Sequence, residues 1–443
     1  MIDPGGPELK ALFDYPAAAM RRTVTAFQSE MDAGLRGETS SLKMLPAYVD
    51  NPTGREKGEF LALDLGGSNY RILRVALKGD GSEPEATARK FSLTPREADG
   101  SAETLFGALA RSVKMFLAEL GGGASRPLGF TFSFPIRQHS IDRGELIVWT
   151  KGWSAAGVVG EDVVGLLNRA LEREGVGGVR VVSLDNDTTG TQMARAYLDP
   201  ACDVGCILGT GTNICYRERV ERIRKLLGPY VGASMIVNME SGGFDKALPR
   251  NRIDERLDAE SENPGSQWEE KMVSGKYLGE LVRLIVVERT AQRLMFGGRL
   301  PDIFAERERF GSEKVCAVKE DPTPAAERVL AMLKDLDVSN ATDLDASALR
   351  EIAWIVSRRA ARIAAVVLAA AAAWIDPGLD RDHTIAVDGS VYEKHPGFAA
   401  DMDAAFREIL GVRAARVRTA LTHDGSGLGA AVIAAATMAG HPS

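Results

Sequence analysis

The sequence predicts an α/β protein built as two related lobes whose turns face one cleft. Two strand–turn–strand units carry this prediction. Residues 60–75 (FLALDLGGSNYRILRV) read as strand, Gly-Gly turn and strand, and residues 205–216 (GCILGTGTNICY) repeat the design around Gly-Thr-Gly. Each unit is followed by further strands and helices, the alternation of a layered α/β domain. Size is the third observation: 443 residues are too many for one compact core. No sequence-level repeat accompanies the duplication, which rests on arrangement alone.

Composition narrows the function classes. Hydrophobic residues make up 45% and charged residues 26%, an ordinary globular balance. The formal net charge of −7 argues against general nucleic-acid affinity but leaves room for local basic sites around phosphate. Cys202, Cys206, Cys215 and Cys316 form no CxxC pair and no ligand cluster with the five histidines. A reducing cytoplasm fits best, with the thiols as small core residues. The N-terminus lacks a basic start followed by an apolar core, so no signal peptide is expected. Ile363–Ile375 is the most apolar stretch; it is too short to span a bilayer and reads as a buried helix.

In chain order, residues 8–48 read as mostly helical, with Pro52 and Gly54 breaking the chain before the first hairpin. Residues 102–120 have helical apolar spacing and end at Gly121-Gly122-Gly123. Residues 128–135 form an alternating strand stopped by Pro135, and residues 161–175 an amphipathic helix. Residues 179–190 are a β-branched run whose strand ends in Asn186 and Asp187, with a helix over 191–198. The run 217–225 (RERVERIRK) reads as a solvated arm. Residues 235–245 are a strand ending in an acid and two glycines, and 267–296 a long helix interrupted at Gly275. Residues 301–345 are charged and uninformative, and 347–375 an Ala-rich helix. Residues 384–398 and 417–436 are each a strand and a glycine turn that lead into a helix.

The glycine turns are where chemistry is expected. DLGGSN, LGTGTN, VDGSVY and DGSGLGAA each follow an apolar strand. One such turn is commonly only a turn. Four, two of them opening helices, offer bare N–H groups to phosphates. No GxGxxG opens a Rossmann unit and no GxxxxGK[ST] marks a P-loop. At the first tip stand Asp64, Gly66, Gly67, Ser68 and Asn69. Asp64 suits a water of phosphate-bound Mg²⁺, which keeps several waters and takes few protein carboxylates.

At the strand end formed by Asn186 and Asp187 a carboxylate suits a general base that accepts a hydroxyl proton, although residue type alone favours a turn or helix cap there. Lys151, in Thr150-Lys151-Gly152, suits charge neutralisation on a transferring phosphoryl group, or a solvated surface. Asn213, Glu240 and Glu270 supply the amide and carboxylates that a polyol site requires. The five histidines show no zincin or triad spacing.

Together these stretches resemble the hexokinase family. The blocks FLALDLGGSNYR, LGFTFSFP, WTKGW, NDTTGT, LGTGTN, NMESGGFD, ENPGSQWEEKMVSGKYLGE, VDGSVYEKHPGF and DGSGLGAA occur in that family's order. The resemblance implies two RNase H-like α/β lobes of the actin-like ATPase fold around a central cleft. It implies residues 58–190 plus 430–443 in the small lobe and 1–57 plus 191–429 in the large one. It implies ATP and Mg²⁺, with glucose and other hexoses as partners, and a cytoplasmic enzyme that binds neither nucleic acid nor membrane. Asp187 would be the base facing the sugar 6-hydroxyl, with Lys151 beside it. Ser133, Thr150, Lys151, Asn186, Asn213, Glu240 and Glu270 would grip the sugar. Asp64 would hold Mg²⁺ through water, and Arg71 would sit close to the phosphates. Gly66, Gly67, Ser68 and Asn69 on one turn, Thr210 and Gly211 on the other, and Ser390, Gly425 and Ser426 would surround the nucleotide.

The chain departs from the family at four places. Ser68 stands for the usual Thr, Ser241 for an aromatic, Ser266 for a Gln, and Glu269 for the aromatic before Glu270. The last three border the sugar site. A non-catalytic sugar sensor on the same scaffold is the alternative, against which intact Asp187, Lys151 and Asp64 argue. A repressor of the related ROK type lacks support: no helix-turn-helix precedes the first hairpin, and no cysteine cluster could hold its zinc.

Overall fold

The computed structural model describes residues 6–66, 69–121, 126–150, 152–226, 228 and 230–440. The chain opens with helices α1 (Pro7–Leu12) and α2 (Ala17–Arg36) and a short edge strand β1 (Leu45–Pro46). Helix α2 ends at Gly37, whose φ of 77° is the left-handed cap a residue without Cβ adopts freely. The predicted helical region therefore stops well short of residue 48.

The first lobe is built from β2 (Gly58–Leu65), β3 (Asn69–Leu77), β4 (Glu85–Ser92), α3 (Pro95–Ala98), α4 (Ala102–Glu119), β5 (Arg126–Phe132), the small hairpin β6 (Ile136–Ser140) and β7 (Arg143–Leu146), α5 (Val163–Arg173) and β8 (Val179–Asp185). Helix α6 (Asp187–Ala196) leads to β9 (Cys202–Leu208), β10 (Thr212–Arg219) and β11 (Ser234–Asn238). Helices α7 (Arg252–Glu260), α8 (Trp268–Val273), α9 (Gly275–Ala291), α10 (Asp302–Ala305), α11 (Ser312–Lys319), α12 (Glu327–Asp335) and α13 (Asp343–Ile375) follow. The chain closes with β12 (His383–Asp388), α14 (Ser390–Lys394), α15 (Phe398–Leu410), β13 (Val417–Leu421) and α16 (Gly425–Gly440).

The inferred duplication is written in the strand order. One sheet runs β4-β3-β2-β5-β8 and the other β11-β10-β9-β12-β13, with β1 added at the β11 edge. In each, three antiparallel strands lead into two parallel ones. The expected pair of α/β lobes is thus present. Strand β5 is almost wholly buried, as a strand covered on both faces must be, whereas edge strand β4 is exposed and charged.

The sequence reading needs three corrections. The helix after β8 starts at Asp187 rather than at residue 191, because Asn186 Oδ1 accepts the Thr188 N–H and caps it. Asp187 is therefore the first residue of a helix, not the end of a strand. The arm at 217–225 begins inside β10: Arg217 forms a two-pronged ion pair with Asp50, and Arg222 stacks on Trp374. Residues 301–345 hold three short helices under the long α13. That helix is buried as expected, and even its Arg359 is enclosed, donating to both oxygens of Asp254 at 2.6 and 2.7 Å. Among the described residues no helix is long and apolar enough to cross a membrane.

Helix α6 leaves the first sheet and α16 the second, and the two pack directly on each other. Their crossing is made by glycine. A Cβ at Gly190 would lie 2.9 Å from the Ser426 carbonyl oxygen, and one at Gly429 would overlap the Gly190 carbonyl. We expect Gly429→Ala to destabilise the protein by about 1–3 kcal/mol, the usual cost of overpacking. Gly177→Ala, which meets open space, should be near neutral. Urea denaturation of both variants checks this; equal midpoints would mean that the helix crossing relaxes freely.

Candidate active site

The parallel register sets three side chains abreast. Asp64 on β2 pairs with Thr131 on β5, and Thr131 with Asp185 on β8. All three stand at the carboxyl ends of their strands, where open α/β sheets place their ligands. Asp64 Oδ2 accepts from Arg71 Nη2 at 2.6 Å and from Ser426 Oγ at 2.8 Å. Arg71 also pairs with Asp424 and donates to Ser426 Oγ at 3.2 Å. Asp388, from the second sheet, accepts the Gly425 N–H at 3.1 Å, and burial raises its carboxyl above the ordinary range. Asp185 has no basic partner among the described residues; Thr131 Oγ1 donates to its two oxygens at 3.1 and 3.2 Å. Burial holds the Asp185 carboxyl well above its ordinary pKa, and the charges of Asp64 and Asp187 push the same way.

Asp187 is half-buried at the first position of α6, where the helix N-terminus favours a carboxylate. Its Oδ1 accepts the Thr188 N–H at 2.8 Å and the Thr188 hydroxyl at 3.2 Å. Its neighbour Asn186 serves as the cap, so cap and candidate base are adjacent residues rather than rival readings of one residue.

On the second sheet, four chain segments meet around the β9–β10 turn. The Gly275 N–H donates to Gly209 O at 2.8 Å and the Lys276 N–H to Thr210 O at 3.1 Å, which fixes the start of α9 to that turn. Gly389, with φ 127°, approaches Gly209 at the start of α14; a Cβ on Gly209 would lie 3.6 Å from the Gly389 Cα. Ser312 opens α11 there, 3.5 Å from where a Gly275 Cβ would be, and its Oγ bonds His395 Nε2 at 2.8 Å. Burial lowers the His395 pKa to about 4, so the ring is neutral at physiological pH. Glu270 Oε2 accepts the Thr212 N–H at 3.3 Å and sits against Gly211, where a Cβ would come within 2.9 Å of it.

A polar chain crosses the same face. Asn213 Nδ2 donates to Asn238 Oδ1 at 2.8 Å, and Asn238 Nδ2 to Glu240 Oε1 at 3.0 Å. Lys43 Nζ closes the chain 3.5 Å from Glu240 Oε2. Asn213 Oδ1 also accepts the N–H groups of Ile214 and Ser241, which ties the β10 strand to the 3₁₀ turn after Glu240.

The first lobe adds a smaller group. The Ser133 N–H donates to Leu65 O at 3.1 Å, and its hydroxyl lies 3.9 Å from where a Gly66 Cβ would be. Thr150 is exposed at the end of an aromatic cluster of Phe132, Phe134, Trp149 and Trp153, whose rings lie 4.9–6.0 Å apart. Asn69 turns to the β4 edge, where its Oδ1 accepts from Ser92 Oγ at 2.7 Å. Ser390 is exposed at the start of α14. Gly67, Ser68 and Lys151 lie outside the described residues.

The structure therefore joins Asp64, Arg71 and Ser426 by direct contact, sets Gly425 on Asp388, links Asn213 to Glu240 through Asn238, and seats Glu270 on Gly211. Lys43, Asn238, Lys276, Ser312, Asp388 and His395 were missed in the sequence. Only Asp388 carried a signal: it ends an apolar strand before a glycine, as Asp64 does. Among the described residues no group of three or more His, Cys, Asp or Glu is placed to hold a metal directly. One carboxylate beside Arg71 and two helix starts is a donor set for Mg²⁺ held through water with an anion, which needs few protein ligands.

Two hexokinase family models match this chain, over residues 7–197 and 203–436. Hexokinase-7 of Oryza sativa subsp. japonica is 42% identical over 440 residues, covering 95% of this chain and 94% of the relative. Hexokinase-4, chloroplastic, of the same organism is 40% identical over 439 residues, covering 95% and 86%. The solved hexokinase from Schistosoma mansoni complexed with glucose superposes with a TM-score of 0.86 at 36% identity, covering 97% of each chain.

Asp185 generates a pH prediction. A carboxyl whose folded pKa is raised contributes stability that is fully present below its unfolded pKa and is lost as pH rises through the folded value. Asp185→Asn should therefore melt increasingly above wild type as pH rises from about 4 to about 8, without nucleotide or divalent metal. A melting-temperature gap that stays constant across that range would show that Asp185 does not titrate in the fold.

Proposed function

The chain belongs to the hexokinase family, and we propose that it transfers the γ-phosphoryl group of Mg-ATP to the 6-hydroxyl of glucose and of other hexoses. The observation that carries this reading is the meeting of Asp64, Arg71 and Ser426 at the start of α16, with Asp187 at the start of the helix crossed by α16. An anion site and a candidate base thus share one pair of packed helices.

In this reading the phosphates lie between the Gly66 turn, the start of α16 and the Thr210–Gly211 turn. Arg71 is held by two carboxylates and a hydroxyl, so its position costs little further ordering when charge develops on the transferring group. Mg²⁺, bound through water to Asp64, would neutralise charge on the β- and γ-oxygens. Asp187 accepts the 6-hydroxyl proton; in a loose transfer that proton leaves late, so Asp187 mainly orients the nucleophile. Ser133, Thr150, Lys151, Asn186, Asn213, Glu240 and Glu270 surround the remaining hydroxyls, and Ser390 lies near the adenosine. Ser241 and Ser266 border the sugar in place of larger residues, so hexose preference is read there. The four cysteines are free thiols, which accords with a reducing cytoplasm, and fractionation of the native cells tests that location.

A coupled assay of sugar 6-phosphate formation from Mg-ATP, across glucose, fructose, mannose and glucosamine with a no-sugar control, tests the function. Phosphorylation of no sugar would overturn it. Asp187→Ala should keep the fold and glucose binding but cut turnover at least ~10²-fold, the low end for a positioned acid–base group. Near-normal turnover in a folded variant would remove Asp187 from the chemistry. Sugar binding is proposed to close the lobes, which keeps water from competing for the phosphoryl group. Scattering curves that superimpose with and without saturating glucose would exclude that closure.

A further inference from the structure

Glu269 and Glu270 are neighbours on the six-residue helix α8, yet they meet opposite surroundings. Glu270 reaches the β9–β10 turn and accepts the Thr212 N–H. Glu269 is 0% exposed, and among the described residues neither of its carboxyl oxygens has a hydrogen-bond partner. Its field reaches the Cys206 thiol of β9, whose side chain belongs to the large apolar core beneath the sheet. Among the described residues the cations around α8 are engaged with other groups: Arg250 lies over the Trp268 ring of α8 itself, 4.5 Å from its centroid. Lys271 pairs with Asp258 of α7 at 2.6 Å, and Arg359 of α13 with Asp254 of α7. Arg283 and Glu280 of α9 pair at 2.8 Å, and Tyr277 of α9 senses Glu270. Among the described residues no cation pairs with Glu269.

We propose that Glu269 is a proton-linked positioning residue for Glu270: its neutral carboxyl seats α8 against the β9–β10 turn, and its ionisation unseats that helix. The inference rests on the reading of Glu270 as a sugar ligand. An isolated carboxylate in an apolar core costs several kcal/mol, so the group either keeps its proton or moves toward water. Burial holds the Glu269 carboxyl well above its ordinary pKa, with the Glu270 charge adding to the shift. A shift of the Glu269 backbone toward water is not local. The Glu269 N–H is bonded to Phe244 O at 3.1 Å, and the Ser274 N–H to Glu270 O at 2.9 Å, so side chain, α8 and the start of α9 move together. Sugar affinity, rather than the phosphoryl step, would then fall as pH rises.

The sign follows from linkage. A raised carboxyl pKa gives stability that is complete below the unfolded value and lost as pH rises through the folded one. Glucose dissociation constants, read by isothermal titration calorimetry, and kcat are compared between about pH 6 and about pH 9 for wild type, Glu269→Gln and Glu269→Phe. Wild type should lose at least ~5-fold in glucose affinity over that range with kcat changing less than about 2-fold, while both variants stay flat. Melting without sugar should show Glu269→Gln gaining on wild type as pH rises. Equal affinity profiles in all three proteins would overturn the inference, as would a wild type with flat affinity. Should glucose bind none of them while the melting gap persists, the sugar-site reading fails and Glu269 still titrates. Should glucose bind all three alike with no gap, the inference alone fails.

Discussion

The backbone contact between α6 and α16 is the constraint on which the site depends. Each helix begins at a residue with a proposed chemical role, Asp187 on α6 and Gly425 on α16, and each emerges from a different sheet. Gly190 lies one turn into α6, and a Cβ there would press on the Ser426 carbonyl at 2.9 Å. The spacing between candidate base and anion turn is therefore set by two glycine backbones rather than by adjustable side chains. Because the two helices also join the sheets, the contact that sets this spacing lies at the joint between the lobes.

Electrostatics around that joint is lopsided. Among the described residues Arg71 faces Asp64, Asp424 and Asp388, and Asp185 feels the charges of Asp64 and Asp187. The fold answers only part of this excess, by giving Arg71 to Asp64 and Asp424 and leaving Asp185 with a threonine hydroxyl. An acid-rich pocket would repel a bare polyphosphate. It suits a nucleotide that arrives with a divalent cation, because the cation supplies the charge that the protein withholds.

What the sequence disclosed was what is local. A Gly-Gly or Gly-Thr-Gly between β-branched runs marks its own hairpin, and four glycine turns after strands were reason to expect phosphate binding without any tertiary knowledge. Asp64, Arg71 and Ser426 were placed at the nucleotide through resemblance, and their mutual contact spans 362 positions, which no spacing argument reaches. Asn238 and Lys43 escaped notice because their roles exist only once β11 lies beside β10 and the 40–44 segment lies over it. The start of α6 was misplaced because Asn-Asp-Thr-Thr extends a β-branched run as plausibly as it caps a helix. The competition was settled by Asn186 finding the Thr188 N–H.

Strain separates the two halves of the site. Glu240, Gln267 and Asp424 hold φ of 56°, 56° and 53°, a region that costs a non-glycine residue on the order of 1 kcal/mol or more. Glu240 begins the 3₁₀ turn, Gln267 begins α8 and so aims Glu270, and Asp424 precedes α16. Glu240 is further held by the Asn238 amide, and Glu270 accepts the Thr212 N–H, so these two carboxylates of the second sheet are preset. On the first lobe, the segment leading to Thr150 instead exposes Ile147 and Val148 at 47% and 51%. Should the proposed closure bury that segment, sugar held by the preset carboxylates would drive burial of apolar surface elsewhere. The gain from that burial would lie in the closed state alone, which is what allows a sugar to shift the balance between open and closed forms.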